Sequence, residues 1–466
     1  MIWITIDRSS HKPMTQQIYE QIRESILHNE LQPGERIPST RELANNIGVS
    51  RNIVLEAYDQ LIAEGFIYSQ PRLGTFVADG SSLRLGRSWT PASMIETCPN
   101  QDDTSYIDFR AANPAIDYFP RKVWGQLAKQ VCNQASDIIF SYSHPLGLTE
   151  LRQTLSKYLH RYRGVKCHPD QILITSGATQ AFHLISQCFK EQNAEIIMED
   201  PITYEIRNLF ISAGYSIYPI PVDQKGMQTH LLPPTTSCKL IFVMPSHQFP
   251  MGGVLPIQRR TQLIQYARDT HSFIIEDDYD SEFTYEGSPV PSLQGLDPER
   301  VIYIGTFSKI LSPGLRIGYA VLPPILTHHF QRQKWLMDRH TSSLEQRILA
   351  RFLEEGHMER HIRKMKKIYR KRRQTLISSL KQEFPYISIL GQATGIHLVA
   401  DFANVVFTSL LTKQILQEGV KIYPVEDFAL QKGGHLKQIV MGYGSLSPEI
   451  IKEGVYRLKR AIQSVS

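Results

Sequence analysis

Thr306-Phe307-Ser308-Lys309-Ile310-Leu311-Ser312-Pro313-Gly314-Leu315-Arg316-Ile317-Gly318-Tyr319 sets a lysine between hydroxyl residues, then Pro-Gly, then an arginine. A lysine amine becomes a covalent handle only when it can lose its proton, and partial burial near other positive charge encourages that loss. The nearby charge is Arg316. Its guanidinium, a planar fork of donors, and the hydroxyls of Thr306 and Ser308 suit a phosphate. A reactive lysine beside a phosphate seat points to pyridoxal phosphate. Taken alone, the same stretch also reads as a strand-to-helix turn with a surface lysine, so its neighbours decide.

Upstream, Phe273-Ile274-Ile275-Glu276-Asp277-Asp278-Tyr279-Asp280 is an apolar strand that runs into carboxylates. A carboxylate beside a pyridine nitrogen keeps that nitrogen protonated and the ring electron-poor. Further upstream, Ile172 to Ala181 reads as strand, small-residue turn and helix start, where free backbone N–H groups and the helix dipole favour an anion. From Ile107 onward, apolar strand-like runs alternate with amphipathic helices, the pattern of an α/β domain with a mostly parallel sheet.

Ser308-Lys309, followed by Pro313-Gly314-x-Arg316-x-Gly318-Tyr319, resembles the cofactor-lysine segment of fold-type I aminotransferases, and the resemblance extends in order along residues 106–466. It implies that Lys309 forms the Schiff base with pyridoxal phosphate. Gly177, Ala178 and Thr179, with Thr306, Ser308 and Arg316, would seat the phosphate, and Tyr204 would stack on the ring. Asp277 would hold the pyridinium nitrogen and Tyr279 the ring hydroxyl. Tyr142, in Tyr142-Ser143-His144-Pro145-Leu146-Gly147, matches a tyrosine that crosses from the partner subunit of a homodimer to touch the phosphate. Phe109-Arg110 with Asn113-Pro114 and Phe119-Pro120 resembles the segment entering the substrate side.

Two departures bear on activity. Aminotransferases carry Asn-Pro-x-Gly before the aspartate strand, whereas this chain reads Ser246-His247-Gln248-Phe249-Pro250-Met251-Gly252, with Phe249 at the asparagine position. They also carry an arginine near the C-terminus that grips the substrate carboxylate. Here Gln438-Ile439-Val440-Met441-Gly442-Tyr443 puts Val440 in its place. Loss of such a bidentate contact costs about 2–5 kcal/mol of binding, which argues against efficient transamination of an α-amino acid.

Residues 1–79 read as a separate head. Met14, Ile18, Ile22 and Ile26 draw one stripe along a helix. Ser39 with Glu42 can cap a second helix whose inner face is Leu43, Ala44 and Ile47, and Gly48 ends it. Ser50 is expected to cap a third helix, Arg51 to Glu64, turning Ile53 or Val54, Ala57, Tyr58, Leu61 and Ile62 inward. Residues 65–69 and 75–77, around Pro71-Arg72, read as a strand pair, a wing. Together these motifs closely resemble the GntR-type winged helix-turn-helix, which implies that the head binds double-stranded DNA at an operator. Arg51 and Asn52 would face base edges, Ser39, Thr40 and Arg41 the phosphates, and Arg72 the backbone or minor groove. Counted over residues 1–79, seven Lys or Arg face ten Asp or Glu, so the head has no general basic footprint.

The length, 466 residues, exceeds what one core organises and predicts two or three domains. The partition expected is a head at 1–79, a polar linker at 80–105 and a body at 106–466. A formal charge of +6 permits nucleic-acid contact without demanding it. Five scattered cysteines with no Cys-x-x-Cys pair fit reduced thiols and propose no metal site. The first residues lack a secretory pattern and no apolar run spans a bilayer, so a soluble, cytoplasmic protein without membrane partners is expected. From Arg360 to Arg373 nine Lys or Arg occur without an acid, on a helix with Ile362, Met365 and Tyr369 inward.

A GntR-like head on an aminotransferase-like body is the layout of the MocR family of transcriptional regulators, and Ser246-His247-Gln248-Phe249-Pro250 and Glu276 to Phe283 resemble that family. The resemblance implies a homodimeric, pyridoxal phosphate-dependent DNA-binding regulator that senses a small effector, an amino compound or the cofactor itself. Two alternatives stay open: a working aminotransferase with an accessory DNA-binding head, and a regulator whose body no longer binds the cofactor.

Overall fold

Apolar residues spaced at helical periods assemble the head around one small core. The computed structural model describes residues 4–81, 106–111, 113–234 and 237–464, and the chain divides into two compact units, one within residues 1–101 and one within residues 102–466. Of the linker expected at 80–105, residues 82–105 lie outside the described ones.

In the head, α1 (Met14–Leu27) buries Ile18, Ile22 and Ile26 against α3 (Arg51–Ala63), with α2 (Thr40–Ile47) between them in sequence. The capping box forms as expected: Ser39 Oγ accepts from Glu42 N at 3.2 Å, and Glu42 Oε2 accepts from Ser39 N at 3.3 Å. Gly48 takes the left-handed conformation, φ 68°, that ends α2. Ser50 occupies the N-cap position of α3, but its side chain makes no capping hydrogen bond. Ile62, expected inward, is 39 % exposed, because Val54, Ala57, Tyr58 and Leu61 already fill the buried stripe. β1 (Arg36–Ile37), β2 (Ile67–Gln70) and β3 (Gly74–Val77) form an antiparallel sheet in the order β1-β3-β2.

The body is built on an eight-stranded sheet. Its strands are β5 (Ile172–Thr175), β6 (Glu195–Asp200), β7 (Ser216–Asp223), β8 (Gly226–Met227), β9 (Leu240–Val243), β10 (Phe273–Asp278), β11 (Val301–Thr306) and β12 (Gly318–Val321), in the order β5-β12-β11-β10-β9-β6-β7-β8. β12 pairs antiparallel with β5 and β11, β8 antiparallel with β7, and the remaining neighbours are parallel. The central strands are apolar on both faces, as a sheet covered by helices on both sides requires. A parallel sheet presents its ligand at the carboxyl ends of its strands. Those ends lead here to residues 176–179, 200–204, 277–279 and 306–309.

A second layer belongs to the C-terminal part. β13 (Ser388–Leu390), β14 (His397–Asp401), β16 (Tyr423–Pro424) and β17 (Gln438–Gly442) make an antiparallel sheet in the order β13-β14-β17-β16. β4 (Ile107–Asp108), the first described strand of the body, pairs with β15 (Val420–Lys421). The helix His357–Glu383 buries Met365 and Tyr369 beneath this layer and leaves Arg360, Arg363, Lys364, Lys367, Arg370 and Lys371 exposed. Arg372 and Arg373 are buried: Arg372 donates to Gly444 O and Arg373 pairs with Glu286. Among the described residues no helix is long and apolar enough to cross a membrane.

Candidate functional site

The four strand ends converge on one cavity of about 520 Å³, lined among others by Ala178, Thr179, Tyr204, Asp277, Tyr279, Thr306, Ser308, Lys309 and Arg316. Lys309 sits three residues past β11 and is partly buried. Burial pulls its amine below the ordinary lysine value, Arg110 acts in the same direction, and Asp280 and Asp277 oppose them. The lysine loop is fixed from both sides: Ser308 N donates to Thr306 Oγ1 at 3.1 Å and Phe307 N to Ile317 O at 3.1 Å.

The anion seat follows from close backbone approach. Gly177, φ 91°, occupies the N-cap of α4 (Ala178–Cys188) and offers no capping side chain, so the Ala178 and Thr179 N–H groups stay available, while Gln180 N donates to Gly177 O at 3.2 Å. Arg316, at φ 49°, folds over this turn and donates from Nη2 to Ser176 O at 2.9 Å. A Cβ on Gly177 would lie 2.9 Å from that Nη2, and one on Gly318 would lie 2.7 Å from the Gly177 carbonyl carbon. Both glycines are therefore required for Arg316 and the helix start to share one corner. A helix N-terminus, a guanidinium and two hydroxyls in one corner fit a phosphate dianion.

The period of two along β10 explains how three adjacent acids take separate roles. Glu276 and Asp278 turn to one face: Glu276 accepts from Leu293 N and Gln294 N, both at 2.8 Å, and Asp278 pairs with Arg163 at 2.7 Å and accepts from Tyr303 Oη at 2.6 Å. Asp277 turns to the other face and the cavity. Burial, then repulsion from Asp278 and Asp280, pushes its carboxyl up to about 8, with Lys309 acting against the rise. A cation beside it would restore the carboxylate, which is the donor chemistry that a pyridinium supplies.

Tyr279 Oη donates to His247 O at 2.9 Å. Tyr204, the first residue of α5 (Tyr204–Ser212), is 55 % exposed with Arg207 over its ring at 5.2 Å. Tyr142 does not join the cavity of its own chain. It is 75 % exposed, set edge-on to His340 with Arg339 stacked 4.7 Å from its ring centroid. Phe249 and Val440 both line the cavity, and Phe249 meets Phe428 and His397 edge-on at 5.2 Å each.

Sequence reasoning missed Glu205, His397, Tyr423 and Phe428, which also line the cavity. Glu205 directly follows Tyr204, whereas His397, Tyr423 and Phe428 stand in no recognisable spacing and are brought there by topology. Beside them lies a buried group, His247, Asp280 and His397, of potential metal-ligand type. Its carboxylate is already engaged, accepting from His247 Nδ1 at 2.9 Å and Ile396 N at 3.2 Å, while His397 Nε2 bonds to Pro250 O at 3.2 Å.

In the head, the starts of α2 and α3 meet where Arg51 Nε donates to Thr40 Oγ1 at 3.4 Å. Ser39, Arg41, Arg51 and Asn52 are exposed, Thr40 partly so, and Arg72 lies at the wing turn with φ 67°. Arg36, not singled out in the sequence, crosses the wing at Gly74, where a Cβ would lie 2.8 Å from its Nε.

Comparison with known proteins agrees with this division. Residues 107–438 match the aminotransferase class I and II family, and residues 14–77 match the gntR family of bacterial regulatory proteins. The chain is 36% identical to an uncharacterized HTH-type transcriptional regulator, YdeL, of Bacillus subtilis, covering 98% of each chain. It is 32% identical to the probable rhizopine catabolism regulatory protein MocR of Rhizobium meliloti, covering 98% of this chain and 95% of the relative. Among solved structures, the α-aminoadipate aminotransferase LysN of Thermus thermophilus, complexed with N-(5'-phosphopyridoxyl)-L-leucine, superimposes with a TM-score of 0.71 at 27% identity, covering 78% of this chain and 93% of that one.

Proposed function

Since the chain belongs to the MocR-type transcriptional regulators, a gntR-family head joined to a class I and II aminotransferase body, we propose that it is a homodimeric DNA-binding regulator whose body holds pyridoxal phosphate and senses a small amine. The observation that carries this reading is the convergence of Lys309, Asp277 and the Gly177–Arg316 corner on a cavity where Phe249 and Val440 stand at the positions of the aminotransferase asparagine and substrate-gripping arginine.

When bound, pyridoxal phosphate supplies an aldehyde that a primary amine can engage and an electron-poor ring. The chain's residues do the rest. Gly177, Ala178 and Thr179 offer backbone N–H groups to the phosphate, with Thr306, Ser308 and Arg316 closing around it. Asp277 would hold the ring nitrogen, Tyr279 the ring hydroxyl, Tyr204 would stack on the ring, and Tyr142 of the partner subunit would complete the phosphate seat. Lys309, its amine eased toward neutrality by burial, would be the residue that holds the cofactor, at the aldehyde an effector amine would compete for. An effector changes DNA binding only through unequal affinity for two arrangements of the dimer. On the DNA side, Arg51 and Asn52 read bases, and Ser39, Thr40, Arg41 and Arg72 hold the backbone. The exposed basic face of His357–Glu383 adds phosphate contacts.

The test is an absorbance scan of the purified protein. A visible cofactor band is expected in the wild type and lost in Lys309→Ala; identical spectra would sink the cofactor assignment. Sustained turnover of an amino acid with a keto acid would replace the regulator by an enzyme. Arg51→Ala is expected to abolish sequence-specific binding to the DNA upstream of its own gene.

A further inference from the structure

Val440 leaves the cavity without an anion grip on β17, yet the wall around it is not uncharged. The backbone of Phe109-Arg110 lies directly across the end of the same strand. Gly442 N donates to Phe109 O at 2.8 Å, and Gly442 is packed so closely on the Arg110 carbonyl that no side chain fits between them. Val440 and Gly442 share one face of β17 by the strand period. Tyr423, the cross-strand neighbour of Val440, donates from Oη to Asp108 at 2.9 Å and so ties the residues before Arg110 to the same wall. Arg110 thus arrives beside the space that Val440 vacates, and it lines the cavity together with Lys309.

The other lining groups leave it one task. Lys309 and Arg316 belong to the cofactor seat, Glu205 repels an anion, and His397 is held neutral by burial and by His247. Arg110 is exposed and, among the described residues, makes no hydrogen bond or ion pair with the protein.

We propose that Arg110 is the effector's anion grip, so that the ligand is a small zwitterion whose carboxylate is held from the β4 side of the cavity and whose amine would compete with Lys309 for the cofactor aldehyde. This rests on the reading of the cavity as an effector site. The grip found in aminotransferases on the C-terminal strand has been replaced by one on the segment that opens the body.

The experiment is calorimetric titration of the full-length, cofactor-loaded protein with straight-chain amino acids of three to six carbons, the amine placed at either end, each against the matching primary amine without a carboxylate. In the wild type at least one amino acid is expected to bind about ten-fold or more tightly than its matching amine. Arg110→Ala should weaken that amino acid about 30- to 300-fold, as expected for loss of a charge-assisted contact. The matched amine should weaken far less than the amino acid, the melting temperature should stay unchanged, and Arg110→Lys should fall between wild type and Arg110→Ala. The proposal is overturned if no amino acid outbinds its amine in the wild type, or if Arg110→Ala weakens amine and amino acid alike. Absence of the cofactor band in the wild type would overturn the cofactor reading instead, and the same titrations on the cofactor-free protein, in which Arg110→Ala must still weaken the amino acid more than its matching amine, then decide Arg110.

Discussion

At the scale of single residues, Asp277 couples the cavity to pH. An acid whose folded value is raised keeps a proton that the unfolded chain releases, so its contribution to stability is complete below the unfolded value and is lost as pH climbs through the folded one. With Asp277 raised from 3.8 to about 8, the cofactor-free body should lose melting temperature steadily between pH 4 and pH 8. Glu199, also at about 8, adds to the same trend. Asp277→Asn should flatten part of the slope in thermal melts; an unchanged slope would place the proton elsewhere. Gly318 gives a sharper steric test. Its Cβ would meet the Gly177 backbone at 2.7 Å, whereas one on Gly314 meets only Ser312 Oγ at 3.5 Å, so Gly318→Ala should lower cofactor affinity by about ten-fold or more, and Gly314→Ala should leave it intact in an equilibrium titration. Lys309, Asp277 and the Gly177 turn were legible in the sequence because each lies at or shortly past the end of an apolar run, and those ends gather at one edge of the sheet. Tyr423 and Phe428 were not, since nothing local in their segments marks a cavity wall, and Arg110 was readable only as part of an entering segment.

At the scale of elements, the head's helices were legible almost to the residue, because caps and stripes are local signals. The capping box at Ser39 predicts that Ser39→Ala lowers the stability of the head by ~1 kcal/mol, measurable by chemical denaturation followed through the head's helicity. Ser50→Ala should cost far less, since the Ser50 side chain makes no capping bond. Stripe width was the weaker signal: Ile62 lies at a helical spacing, but the core is full without it. The helix His357–Glu383 makes a separate prediction. Replacing exposed Arg363, Lys367 and Arg370 by Gln should make operator affinity less steep in salt, by up to about one unit of slope per lost phosphate contact, while Arg372 and Arg373 are buried in the body and should affect folding instead. A salt slope equal to that of the wild type would reduce the basic face to a solvated surface.

At the scale of the whole molecule, the cavity is incomplete in one chain if Tyr142 serves the partner subunit. Co-expression of a Tyr142→Ala chain with a Lys309→Ala chain should then restore cofactor absorbance, because one of the two sites in each mixed dimer regains both residues. Absorbance no greater than in the separate variants would confine Tyr142 to its own chain. The overall α/β class was legible from alternating strand and helix patterns; the insertion of β12 between β5 and β11 was not, since strand order depends on pairings distant in sequence. The same property governs how the chain is made. β4 finds its partner only when Val420 and Lys421 have been synthesised, and Gly442 must follow before Arg110 is seated. The head needs nothing beyond Val77 for its sheet. A growing or prematurely terminated chain therefore carries a finished head ahead of an unfinished body, so a nonsense mutation between residues 82 and 420 should leave a protein that still recognises DNA yet, on the function proposed above, is deaf to the effector.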